Sequence, residues 1–216
     1  MFFLLFFIYL LYRTMPMTDE TIDLASLGEA MDYAAYCALL GQLMAEGKTT
    51  GNDQSESMVA YAKNNIKRMN EREQIDLSEK TKRVARSVNK PVLLLLLAEG
   101  WCGDVAQNLP TIAKIAAQNP DFISLRILLR DENLPIMDMY LTNGARAIPK
   151  MVVLRNDDMQ EIGVWGPRPT AAQDLLLKLK QEQMPMKEIY AHINNWYEDD
   201  QTHTLQAEMV DLLCKV

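Results

Sequence analysis

Pro91-Val92-Leu93-Leu94-Leu95-Leu96-Leu97-Ala98-Glu99-Gly100-Trp101-Cys102-Gly103-Asp104-Val105 is the stretch that decides the fold. Its first half is apolar without interruption, has strand rather than helix length, and is bounded by Pro91 and Gly100. A run apolar on both faces suits a central strand covered by helices on each side. From Asp104 to Gln118, the residues Val105, Leu109, Ile112, Ala113, Ile115 and Ala116 recur at helical spacing, with a kink expected at Pro110. Strand passes straight into helix, so Cys102 falls at a helix amino terminus. Unpaired N–H groups and the positive end of the helix dipole favour thiolate there, which makes Cys102 the best candidate for a reactive thiol.

Downstream, Phe122 to Arg130 reads as a second strand, and Leu134 to Leu141 as a short helix ended by Asn143-Gly144. Met151 to Leu154 and Glu161 to Val164 read as two strands joined through Asn156-Asp157-Asp158. Thr170 with Gln173 matches a capping box and opens a helix to about Gln183. The order β-α-β-α-β-β-α predicts an α/β fold with a central mixed sheet: a parallel pair joined by a crossover helix, then an antiparallel hairpin.

Upstream, Leu27, Met31, Ala34 and Ala38 recur at helical spacing as far as the Gly47 to Gly51 loop. Asp53 with Glu56 then signals a second helix whose face carries Met58, Tyr61, Ala62, Asn65, Ile66 and Met69. This helical hairpin presents a Met-rich face that reads as packed core. A polar helical segment, Leu77 to Val88, leads into the central strand. Beyond the closing helix, a segment starting at Pro185 is expected to bury Met186, Ile189, Tyr190, Ile193, Trp196 and Tyr197, and a last helix carries Leu205, Met209, Leu212 and Leu213. The expected organisation is residues 1–17 as an apolar leader, 18–75 as the helical hairpin, 76–183 as the α/β domain and 184–216 as a helical extension.

Composition narrows the function. A chain of 216 residues, 49% hydrophobic, builds a full core. Its 22 basic and 29 acidic residues give a formal net charge of -7 with no Lys/Arg cluster, so nucleic acid is not an expected partner. Cys37, Cys102 and Cys214 are odd in number and too far apart for a disulfide framework, which suits a reducing, cytoplasmic location. His192 and His203 converge with no cysteine pair at metal-ligand spacing, and no metal or cofactor is expected. Phe2 to Tyr12 is almost wholly apolar, too short to span a bilayer, and has neither a preceding basic residue nor a following cleavage site. It reads as an upstream start with the natural one near Met15 or Met17, as a lipid-surface anchor, or as a degenerate signal. The first is preferred. Membrane contact is expected only if residues 1–12 are retained.

A strand ending in Ala98-Glu99-Gly100, then Trp101-Cys102-Gly103-Asp104 at a helix start, then Ala147-Ile148-Pro149 before a strand, resembles the thioredoxin superfamily. With the amino-terminal hairpin, the Trp165-Gly166-Pro167-Arg168-Pro169 turn and the closing helices, the chain from about Thr18 onward is similar to uncharacterised bacterial thioredoxin-like proteins. The resemblance implies a cis bond before Pro149, a proline lying against Cys102, and backbone pairing between Ile148 and an extended substrate. Trp101, Gly103, Asp104, Ile148 and Pro149 are the implied substrate contacts, with Cys102 as nucleophile.

The chain departs from that pattern at Val105, where a dithiol oxidoreductase carries its resolving cysteine. Asp104 sets a carboxylate near the thiol, opposing the dipole by a comparable amount, about 0.3 to 1 kcal/mol, so the net effect on Cys102 is open at this point. Cys37 and Cys214, either of which could fold over the site as a resolving thiol, read rather as buried or incidental thiols, and Arg168 reads as a solvated turn arginine rather than a binder of an anionic group. Two functions remain. One is a monothiol redox protein acting on a protein or small-thiol disulfide, with an external thiol completing the cycle. The other is a redox-silent module that docks a peptide or protein near Trp101 and Pro149.

Overall fold

A computed structural model describes Ile22 and residues 27–216. The apolar stretch Phe2 to Tyr12 lies outside them. Val92–Ala98 forms the central strand β1, buried along its whole length. It pairs in parallel with β2 (Ile123–Leu129) and antiparallel with β3 (Lys150–Arg155), which pairs antiparallel with β4 (Glu161–Trp165). The sheet order is β2-β1-β3-β4, the mixed sheet expected from the element order. A leucine run forms strand rather than helix here because Val92 to Leu97 have strand partners on both sides and an apolar layer on both faces.

The helices are α1 (Tyr33–Ala45), α2 (Glu56–Arg72), α3 (Glu79–Ser87), α4 (Gly103–Ala116), α5 (Leu134–Met139), α6 (Thr170–Gln181), α7 (Met186–Asp200) and α8 (His203–Leu213). The crossover helix α4 is buried almost all round, including Pro110, because α2 covers the side turned away from the sheet. Helix α3 packs against α8. Helices α6 and α7 share an apolar cluster of Leu176, Leu179, Ile189, Ile193 and Tyr197, separate from the main core.

Several local expectations shift. Asp32 caps α1 through a 2.8 Å bond from Ala35 N, so the helix begins after Met31, which instead bridges Ile127 of β2. Tyr36 and Leu40 are its buried residues, and Ala34 and Ala38 are exposed. Asp53 accepts from Ser55 N in a local turn, which moves the α2 cap to Ser55. Thr170 and Gln173 form no capping box, since Thr170 N donates to Glu208 and the Gln173 side chain accepts from Arg168. Asn143 and Gly144, both at positive φ, form a tight turn between Thr142 and Ala145 beyond α5 rather than its cap.

Candidate functional site

The turn from β1 into α4 is held from the amino-terminal side. Gly100 N donates to Thr50 Oγ1 at 2.8 Å, and Asn65 Nδ2 of α2 donates to Gly100 O at 3.1 Å. Glu99 is fully buried, and its Oε1 accepts from Asp131 N at 2.9 Å. Burial pushes the Glu99 carboxyl above its ordinary range. On the other side lies Ile148-Pro149, a cis bond as the resemblance implied. Gly166, at φ +110, lies flat on Pro149, where a Cβ would collide with the proline carbonyl.

Cys102 occupies the N-cap of α4 and is 8% exposed. Its Sγ–H donates to Ile148 O at 3.3 Å, so the backbone carbonyl proposed for substrate pairing is already engaged by the thiol. The helix terminus does not win. Burial pushes the thiol up to about 12, with the Asp104 carboxylate acting in the same direction; the Val105 and Asp104 N–H groups and Arg168 oppose it. Removing a thiolate from water costs more than one helix end returns. Val105, at the resolving position, is buried.

Asp104 is the centre of a buried polar network. Its Oδ2 pairs with Arg168 Nη2 at 2.5 Å, and its Oδ1 accepts from Tyr197 OH at 3.0 Å. Asn108 Nδ2 donates to Tyr197 OH at 2.9 Å. Burial raises the Asp104 carboxyl, and Arg168 offsets part of that. Arg168 is therefore not a solvated turn residue: the Gly166-Pro167 cis bond and Pro169 bracket it where its guanidinium meets Asp104. One turn away, Arg72 of α2 donates to Gln107 Oε1 at 2.6 Å and to Glu198 of α7, tying three helices together.

Cys102 lies in a cleft of about 460 Å³ together with Trp101, Gly103, Asp104 and Ile148. Pro149 is not among the cleft residues. The walls come from elements distant in sequence: Tyr61 of α2, Arg130, Arg146, Arg168, and Tyr190 and Asn194 of α7. Arg130 stacks over the Trp101 ring at 4.8 Å. Tyr190 and Met186, expected in the core, are 52% and 42% exposed, because α7 buries only Ile189, Ile193 and Tyr197 against α6. Neither Cys37 nor Cys214 lines the cleft; Cys37 is half-buried, and Cys214 is exposed at the carboxy-terminal end of α8.

Sequence reading missed Arg130, Arg146 and Gln107, read Arg168 as a solvated turn residue, and assigned Tyr61, Tyr190 and Tyr197 to packed helix faces rather than to the cleft. Nothing local marks them; only the tertiary fold brings them to one place. Among the described residues no cluster of His, Cys, Asp or Glu could hold a metal ion, and no helix is long and apolar enough to cross a membrane.

A family model described as thioredoxin matches residues 51–207. Among solved structures, a protein of unknown function from Pseudomonas aeruginosa is similar at 18% identity and a TM-score of 0.55, over 88% of this chain and 93% of that one. An HIV epitope-scaffold is similar at 17% identity and a TM-score of 0.53, over 86% of this chain and 99% of that one. Both likenesses are of fold. No curated protein matches in sequence.

Proposed function

This chain belongs to the thioredoxin family, and from that premise we propose that it is a slow monothiol exchanger acting through Cys102. One observation carries the reading: Cys102 lies in a cleft of its own, beside Ile148 and cis-Pro149, with Val105 where a resolving thiol would stand. Cys102 thiolate attacks one sulfur of a substrate disulfide. That S–S bond breaks, a Cys102 mixed disulfide forms, and the departing sulfur takes up the proton that Cys102 lost. No internal thiol follows, so the adduct persists until an external thiol attacks it, releasing Cys102 and leaving a new disulfide. The disulfide is reduced at the expense of that external thiol, and the electrons balance. Exchange is slow at neutral pH because the buried thiol is almost wholly protonated.

The test is intact-mass analysis of the chain carrying Cys37→Ser and Cys214→Ser after incubation with 2-hydroxyethyl disulfide. A single adduct is expected, formed faster as pH rises, absent after Cys102→Ser and reversed by added thiol. Absence of any adduct at alkaline pH refutes the reading.

A second reading, a redox-silent docking module in the cytoplasm, is favoured by that same protonated thiol. In that case a protein partner is retained unchanged by the Cys102→Ser chain, and exchange with small disulfides is absent.

A further inference from the structure

Helices α6 and α7 bury an apolar cluster of their own, separate from the main core, and their Leu177, Met186 and Tyr190 stay exposed. Among the described residues, every side-chain hydrogen bond from either helix to α2 or α4 comes from two adjacent residues. Tyr197 donates to Asp104 and accepts from Asn108, and the exposed Glu198 pairs with the buried Arg72. Yet α7 supplies a whole wall of the cleft, with Tyr190, Ile193 and Asn194 beside Tyr197. A unit with few buried apolar contacts to its neighbours opens at a lower free energy than the core unfolds.

Both ends of this unit are built as joints, and both joints rest on α8. Ahead of α6, Gly166 stands at φ +110, and Thr170 N donates to Glu208 of α8. After α7, Gln201 and Thr202 lie in consecutive left-handed conformations, at φ +49 and +66, which a β-branched threonine rarely adopts. Across that joint Thr204 of α8 bonds to the Asp200 carboxylate. Thr202 itself accepts from Gln206, whose amide oxygen accepts from Ser78 N, so the chain beyond the joint is fixed to the main body. Asp104 is the acceptor on which both ends close, through Arg168 at the first joint and Tyr197 near the second.

We propose that the α6–α7 pair is a lid that pivots on α8 and is clasped shut through Tyr197 and Glu198, and that Cys102 reacts while it is open. The proposal rests on the exchange reading for what the uncovered thiol then does; the lid itself rests on the packing. In the closed form Cys102 is 8% exposed behind that wall. An open fraction on the order of 10⁻³, carrying an ordinary thiol, reproduces the thiolate deficit of a group pushed up to about 12.

The readout is the rate at which iodoacetamide labels Cys102 at pH 8 in the full chain carrying Cys37→Ser and Cys214→Ser. Glu198→Ala releases Arg72 without touching the cleft lining, and is expected to speed labelling about fivefold. Tyr197→Phe, which changes no charge, is expected to speed it by a similar factor, which separates opening from an electrostatic effect on the thiol. Val152→Ala, fully buried in β3, lowers overall stability at least as much, yet is expected to leave the rate within about twofold. Insensitivity to Glu198→Ala or to Tyr197→Phe overturns the lid, since the thiol would then be reached with the clasp closed. Val152→Ala speeding labelling as much as they do overturns it too, since exposure would then come from global unfolding. Labelling that follows the clasp, alongside a failed 2-hydroxyethyl disulfide assay, would leave the lid standing and remove the exchange chemistry.

Discussion

Cys102 and Cys214 stand at opposite ends of helices and in opposite surroundings. Cys102 caps the amino terminus of α4, where the dipole favours thiolate, but it is buried; Cys214 caps the carboxy terminus of α8, where the dipole is unfavourable, and is exposed. Judged by helix ends alone, Cys102 is the better nucleophile. Judged by solvation, the order reverses, and the magnitudes decide it: a helix terminus is worth about 0.3 to 1 kcal/mol, whereas burial of an ionisable group reaches several pKa units. Position in a motif therefore identifies the thiol without setting its reactivity.

The largest effect that could break this comparison is the ratio of reaction rates. In the unmodified chain at pH 7.5, maleimide labelling followed by peptide mapping should find Cys214 modified first. Cys102 should lag a free cysteine by about 10³, the thiolate deficit of a group pushed up to about 12. Equal labelling of the two would remove the solvation argument.

Stability comes next. Arg168→Met strands Asp104 beside a protonated thiol inside the fold, and chemical denaturation should show a loss of about 3 kcal/mol, limited by protonation of the carboxyl. Adding Asp104→Asn should restore part of it. Two losses that simply add would mean that the pair is not coupled.

A smaller effect sharpens the electrostatic half of the account. Asp104 raises the Cys102 thiol and Arg168 lowers it, so Asp104→Asn should speed Cys102 alkylation at pH 8 by roughly tenfold and leave Cys214 as it was. A slower Cys102 would give the carboxylate the opposite sign, that of a base that helps the thiol ionise. The smallest change is Tyr197→Phe, which removes the hydrogen bond to Asp104 and the acceptor for Asn108, whose amide keeps its bond to Asp104 O. It should cost about 1 kcal/mol by thermal melting, and a loss indistinguishable from zero would take Tyr197 out of the network.

The contrast also explains what the sequence could reveal. The β1 leucines, the closing hairpin and the α4 start were legible because each is a local pattern of burial or turn chemistry, and Cys102 came with the α4 start, whereas Ile148 and Pro149 were named only through the family resemblance. Gln107 reads in sequence as one polar residue on an apolar helix, and its burial acquires meaning only when Arg72, thirty-five positions upstream, donates to its Oε1. Arg168 looked like a turn residue because its partner Asp104 lies 64 positions away. Tyr190 fits an apolar helical stripe, yet α7 rests on α6 through a narrower face and leaves that ring beside the cleft. Local pattern placed the thiol; the helices before and after the sheet domain decide its solvation and its company.

The most direct measurement is the rate of Cys102 alkylation by iodoacetamide against pH, in the chain carrying Cys37→Ser and Cys214→Ser. The account predicts a rate still rising through pH 10, towards a midpoint near about 12, with burial as the leading cause. A plateau reached at or below pH 8.5, the ordinary range of a free thiol at about 8.5, would show a thiol activated by its helix end and contradict the account.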